Sequence, residues 1–179
     1  INSLDTVLKG GFPADSMMSL LGGLGSEHVD FAQTACVMTS LIVHRKLPAL
    51  AKDDSLKVPS KIFYITLSLP KKEIINNIKL NFRKEYHDFQ EVLQVVDLSS
   101  VFYSNTILPK SWKGPTDANI TKVDILEYLM KFFTEYGKDS VIFLDSIGDL
   151  TRKMNNRWED LVFFIKGLNR MSKIWVGLI

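Results

Sequence analysis

Cysteine is nearly missing from this chain: Cys36 is the only one among 179 residues. A single thiol can form neither an internal disulfide nor a thiolate-rich metal cluster, which removes disulfide scaffolds and zinc ribbons from consideration. Its neighbours Ala35, Val37 and Met38 are apolar, so Cys36 reads as a buried packing residue rather than a nucleophile. An excess of one charge is also missing. The 22 Lys and Arg against 20 Asp and Glu leave a net charge of +2, short of the basic surplus that dedicated nucleic-acid binders carry. Long apolar runs are absent as well. The best candidate, residues 31–43, falls short of the roughly 20 residues a membrane span needs, and Gln33, Thr34, Thr39 and Ser40 break it. The three histidines, His28, His44 and His87, show no ligand spacing, so no metal site is expected. With no signal-peptide pattern and so little cysteine, the expectation is a cytoplasmic protein without a membrane segment. The chain opens on Ile1 rather than Met, which leaves further residues at either end open.

What is present is a repeated switch between short apolar runs and helical periods. Residues 16–21 form a strand-like run that ends at Gly22 and Gly23, and a helix is expected over 29–45. The β-branched and aromatic run 61–67, bounded by Pro59 and Pro70, predicts a strand. Pro70 suits the first turn of a helix reaching about residue 86. A strand over 92–96 follows, then an irregular stretch over 97–119. Val123, Leu126, Leu129, Met130 and Phe133 mark one face of the next helix, with Thr121 or Asn119 as its cap. Residues 140–145 make a strand ending in Asp145, Trp158, Leu161, Ile165 and Leu168 mark a helix over 156–171, and 174–179 reads as a last strand. Residues 46–60, with two prolines and Asp53 and Asp54, read as a surface excursion. Apolar strands alternating with amphipathic helices describe one α/β domain over 1–179, with a mostly parallel central sheet and helices on both faces.

In open α/β sheets, ligands bind beyond the carboxyl ends of strands, where a loop meets a helix N-terminus. The first such place is the loop from Gly22 through Gly25 and Ser26 to Val29. A phosphate-binding loop of the pattern G-x-x-x-x-G-K-[ST] needs a second glycine, a lysine for the terminal phosphates and a hydroxyl for Mg²⁺. Starting from Gly22, those three positions hold Glu27, His28 and Val29. Glu27 adds a Cβ where the backbone must curl. It also adds a carboxylate whose repulsion of a phosphate at about 5 Å is roughly 3 kcal/mol at an effective dielectric near 20. Histidine is largely neutral at pH 7, which forfeits most of a charge-assisted bond of about 1.5–3 kcal/mol. Valine cannot ligate a hard cation. No cofactor is therefore expected, and tight Mg-ATP binding least of all.

The surrounding residues carry a resemblance. Leu4, Asp5, Leu8, Gly10, Gly11, Phe12 and Pro13 follow the order of a signature that precedes the phosphate-binding loop in the RecA/RadA/KaiC superfamily. Ser19, Leu20 and Leu21 resemble its loop entry, 61–67 its next strand, and 141–145 its Walker B strand, with Asp145 as the Walker B carboxylate. The likeness runs over essentially the whole chain and implies a RecA-like P-loop NTPase fold. It also implies a site at Gly22, Gly25, Ser26, Glu27, His28, Val29 and Asp145. The chain departs from the family again after the 61–67 strand. KaiC-like members carry acidic residues there to polarise the attacking water, and this chain has Ser68 and Leu69, neither of them an effective general base. No catalytic residue is assigned. Asp145 alone survives, and a structural role for it, accepting bonds from nearby backbone or Ser146, ranks ahead of a catalytic one.

The chain thus resembles inactivated KaiC-like proteins of archaeal signalling. The leading expectation is a non-catalytic regulatory subunit that works by contact with a protein partner or within a homo-oligomer. A weak or atypical ATPase ranks second. A single-stranded DNA-binding accessory ranks third. It would use Arg152, Lys153, Asn155, Asn156 and Arg157, which read more simply as the solvated basic start of a helix.

Overall fold

The run Lys-Ile-Phe-Tyr-Ile-Thr has apolar residues on both faces of its pleat, and such a strand is stable only when covered on both sides. It becomes the centre of the sheet. The computed structural model describes residues 15–23, 27–44, 58–113, 124–154 and 157–175. Within them β1 (Lys61–Thr66), β2 (Leu93–Asp97) and β3 (Ser140–Asp145) form an all-parallel sheet in the order β2-β1-β3. The register sets Tyr64 opposite Val95 on one side and Phe143 on the other, and Thr66 opposite Asp97 and Asp145. The carboxyl ends of all three strands therefore lie level along one edge.

Parallel pairing requires crossover connections, and helices supply them. The helices are α1 (His28–Val43), α2 (Lys71–Asn81), the single turns α3 (Tyr86–Phe89) and α4 (Ser99–Phe102), α5 (Ile125–Tyr136), α6 (Ile147–Lys153) and α7 (Trp158–Trp175). A 3₁₀ turn spans Lys110–Trp112. α1 buries Gln33, Cys36, Val37, Ser40 and Leu41, the three-and-four spacing of one helical face. That face joins Ile74 and Ile78 of α2 over Ile62, Tyr64 and Val95 of the sheet. The opposite face of the sheet offers Phe63, Ile65 and Ile142 to Leu126, Leu129 and Phe133 of α5 and to Leu161, Phe164 and Leu168 of α7. Phe132 meets Phe63 edge-on with centroids 5.1 Å apart, and Tyr136 lies 4.8 Å from Phe132. No helix among the described residues is long and apolar enough to cross a membrane.

Several expectations change. Residues 16–21 take no strand: Met17 packs on the α5–α7 core, while Leu20 is 40% and Leu21 96% exposed. The run is apolar, but no strand among the described residues pairs with it. The cap before α5 is Asp124, whose carboxylate accepts from the N–H groups of Leu126 and Glu127. An extended residue followed by a helical one makes a carboxylate there the natural acceptor. The expected helix from Pro70 stops at Asn81, α4 and the 3₁₀ turn interrupt the irregular stretch, and α6 was not foreseen. Ile174 and Trp175 end α7 rather than begin a strand, and 176–179 lie outside the described residues. The Leu4 to Pro13 signature, the 46–57 part of the excursion, and Asn119, Thr121 and Val123 lie outside the described residues.

Candidate functional site

The edge where the strands end brings together His28 and Glu27 at the start of α1, the turn after β1, Asp97 and Asp145. The pleat explains why. Tyr64 opposes Phe143, and side chains alternate faces with a period of two, so Asp145 lies on the same face as Tyr64 and one step further along. That face is the one α1 covers. The Tyr64 hydroxyl donates to Asp145 Oδ2 at 2.8 Å. Burial raises the Asp145 carboxyl above the ordinary carboxylate range. The Tyr64 hydrogen bond opposes that rise, the Asp149 charge adds to it, and the His28 charge lowers it. Tyr64 is wholly buried, and its phenol is pushed up by burial and by the Asp145 carboxylate. The buried Gln33 of α1 acts on the same hydroxyl in the opposite sense.

The other polar groups on this edge are held by the chain itself. Asp97 Oδ2 accepts from the Lys71 N–H at 2.7 Å, which ties the start of α2 to the end of β2. Its Oδ1 accepts from the Ser99 N–H and hydroxyl. The Thr66 hydroxyl donates to the Leu69 carbonyl and accepts from the Leu69 N–H, which closes the turn after β1. Leu69 then packs against the α1–α2 core, so the position where the resemblance places a water-activating acid is a packing position here. Ser68 beside it is half-buried. Ser146 caps α6 by accepting from the Asp149 N–H. It is therefore Tyr64, and not Ser146, that partners Asp145.

Gly22 is exposed in irregular backbone, Glu27 is exposed, and Val29 is half-buried in the first turn of α1. Gly25 and Ser26 lie outside the described residues. Glu27 stands at the helix N-cap without a side-chain capping bond, and Asp30 follows in the first turn. The positive end of the helix dipole, where an anion would be drawn, thus already has two carboxylates of its own. Of the described side chains here, Asp145 has one oxygen taken by a phenol and Val29 carries none, which makes them poor donors for a magnesium-bound triphosphate. Among the described residues no group of three His, Cys, Asp or Glu is placed to hold a metal ion. The Cys36 thiol is fully buried and pushed up by that burial, which leaves it unreactive.

The basic residues after β3 also turn inward or pair. Lys153 Nζ donates to the carbonyls of Phe102 and Ser104 at 2.7 and 2.6 Å. Arg152 meets Asp149 at 3.3 Å, and Arg157 bridges Asp124 and Asp160 at 2.6 and 2.8 Å. Asn155 and Asn156 lie outside the described residues. Tyr64, Gln33, Asp30 and Asp149 belong to this edge, and the sequence reading missed them. A tyrosine in an otherwise apolar strand was the available signal, since a buried phenol needs a hydrogen-bond partner. No protein-family model and no curated protein matches this chain.

Proposed function

We propose that this chain is a RecA-type domain without ATPase activity, which acts as a regulatory subunit through contact with a protein partner. The observation that carries the reading is the hydrogen bond from Tyr64 to Asp145. A carboxylate poised for a metal should be open. This one is half-buried and has one oxygen occupied by a phenol. Glu27, His28 and Val29 at the three phosphate and magnesium positions support the same conclusion, as does Leu69 packed into the core. The all-parallel β2-β1-β3 sheet with helices on both faces is the coarse architecture such a domain requires. The in-chain partners of Arg152, Lys153 and Arg157 speak against nucleic acid as the ligand.

Calorimetry with Mg-ATP tests the reading. The unmodified chain is expected to give no binding heat, and the variant Glu27→Gly/His28→Lys/Val29→Thr to gain measurable affinity. Micromolar binding by the unmodified chain would refute the loss of function. A strict monomer that recruits no protein partner would refute the interaction role.

A further inference from the structure

The chain that follows β2 and α4 is pinned into a loop. The Thr106 hydroxyl donates to the Tyr103 carbonyl, and Lys113 Nζ donates to the Thr106 carbonyl at 3.1 Å, which closes 107–112 between them. The Trp112 N–H donates to the Pro109 carbonyl and tightens the far side. Lys153 of α6 holds the base through the carbonyls of Phe102 and Ser104. This braced loop turns apolar side chains outward: Ile107 is fully exposed and Trp112 is 74% exposed. A lone exposed apolar residue is ordinary. Two large ones on one closed loop are the kind of feature that marks a contact surface.

The charge around the loop says what fits, because it has one sign. Residues 98–113 contain Lys110 and Lys113 and no Asp or Glu. Lys113 and Lys153 both reach carbonyls within 102–106, so two ammonium groups share one short stretch of backbone. Burial, and then the Lys113 charge, lowers the proton affinity of Lys153. Among the described residues neither lysine meets a carboxylate. The carbonyls satisfy their N–H groups but leave both charges unneutralised. An indole, an aliphatic tip and uncompensated ammonium groups are accommodated together at the headgroup boundary of an anionic bilayer. A nucleic-acid strand would offer bases to Trp112 and phosphates to the lysines, but nothing apolar to Ile107.

We propose that the 107–112 loop docks on an anionic lipid surface. Ile107 and Trp112 enter the headgroup boundary, while Lys113, with Lys153 behind it, faces the lipid phosphates. The attachment is peripheral and reversible, since so short a loop buries little apolar area. It is independent of the loss of nucleotide chemistry, and its test uses no nucleotide, so either can fail alone.

The test is sedimentation of the full chain with phosphatidylcholine vesicles, with and without phosphatidylserine, read together with tryptophan emission. Phosphatidylserine is expected to strengthen binding by about tenfold or more, since each lysine near an anionic surface contributes about fivefold. Emission is expected to shift to the blue on binding, and Trp112→Phe to abolish the shift. Ile107→Asp is expected to weaken binding by about tenfold or more with Tm unchanged, because the side chain is fully exposed. Lys113→Glu is expected to remove the preference for phosphatidylserine. Equal binding to the two vesicles, or full binding by Ile107→Asp, would overturn the proposal. A fall in Tm of several degrees in Ile107→Asp would show that the chain itself covers that residue. A single-stranded oligonucleotide bound by the unmodified chain and lost in Trp112→Ala would assign the loop to nucleic acid. A dimer dispersed by Ile107→Asp would assign it to a second copy. Each of these results also overturns it.

Discussion

The phenol of Tyr64 on the central strand and the carboxylate of Asp145 at the end of β3 form a 2.8 Å hydrogen bond under α1. The bond joins two strands at the edge where the proposed RecA-type reading would place nucleotide. It makes this carboxylate part of the fold.

Removing the phenol should cost stability. Tyr64→Phe leaves a half-buried carboxylate without its donor, and the expected loss is about 1–3 kcal/mol in urea unfolding at neutral pH. Adding Tyr64→Phe to the three loop substitutions should raise Mg-ATP affinity further, because Asp145 Oδ2 is then released. Unchanged affinity in that fourfold variant would show that Tyr64 does not hold the site closed.

The pH dependence has a definite sign. Asp145 has a raised affinity for its proton in the folded state, so folding favours the protonated form. Its contribution to stability is intact below the ordinary carboxylate value and falls as the pH rises from there through the raised folded value. Asp145→Asn should flatten the stability profile across that window. Tyr64→Phe should steepen it, because the bond that lowers the Asp145 pKa is gone. Denaturation midpoints over a pH series check both.

Asp124 does two jobs. One oxygen caps α5 and the other meets Arg157. Burial works against its charge, but the Arg157 guanidinium and the two N–H donors outweigh burial and hold the carboxyl below its ordinary value. Its stabilising effect is present above the unfolded carboxylate value and is lost as the pH falls through the lowered folded one. Asp124→Ala should cost about 1 kcal/mol, the usual worth of a cap, and Asp124→Ser should recover most of it. Near-identical losses in the two variants would place the effect in the exposed ion pair instead.

Lys153 holds the chain after α4 by two carbonyl bonds, and burial, then the Lys113 charge, lowers its proton affinity. Lys153→Met should destabilise the protein by on the order of 1 kcal/mol, allowing for solvent screening of a partly exposed group. Hydrogen exchange should quicken in 102–106. Single-stranded DNA should give no salt-dependent shift with the unmodified chain, and such a shift abolished by Arg152→Ala/Lys153→Ala would return nucleic acid as a ligand.

What the residues alone determined is local. The run Ile62, Phe63, Tyr64 and Ile65 specifies a strand covered on both faces, and Leu126, Leu129 and Phe133 specify one buried face of α5, because both periods are properties of the backbone. The β3 bounds, Ser140 to Asp145, were readable for the same reason. The absence of lysine and hydroxyl at His28 and Val29 is likewise a matter of side-chain chemistry that no fold can restore. Tertiary structure decided the rest. Residues 16–21 are apolar enough for a strand, but a strand also needs a neighbouring edge to pair with. Lys153 looked solvated until the fold brought the carbonyls of Phe102 and Ser104 to it. The partner of Asp145 depended on the register of β1 against β3, set by contacts 81 residues apart in sequence, and no local pattern encodes it.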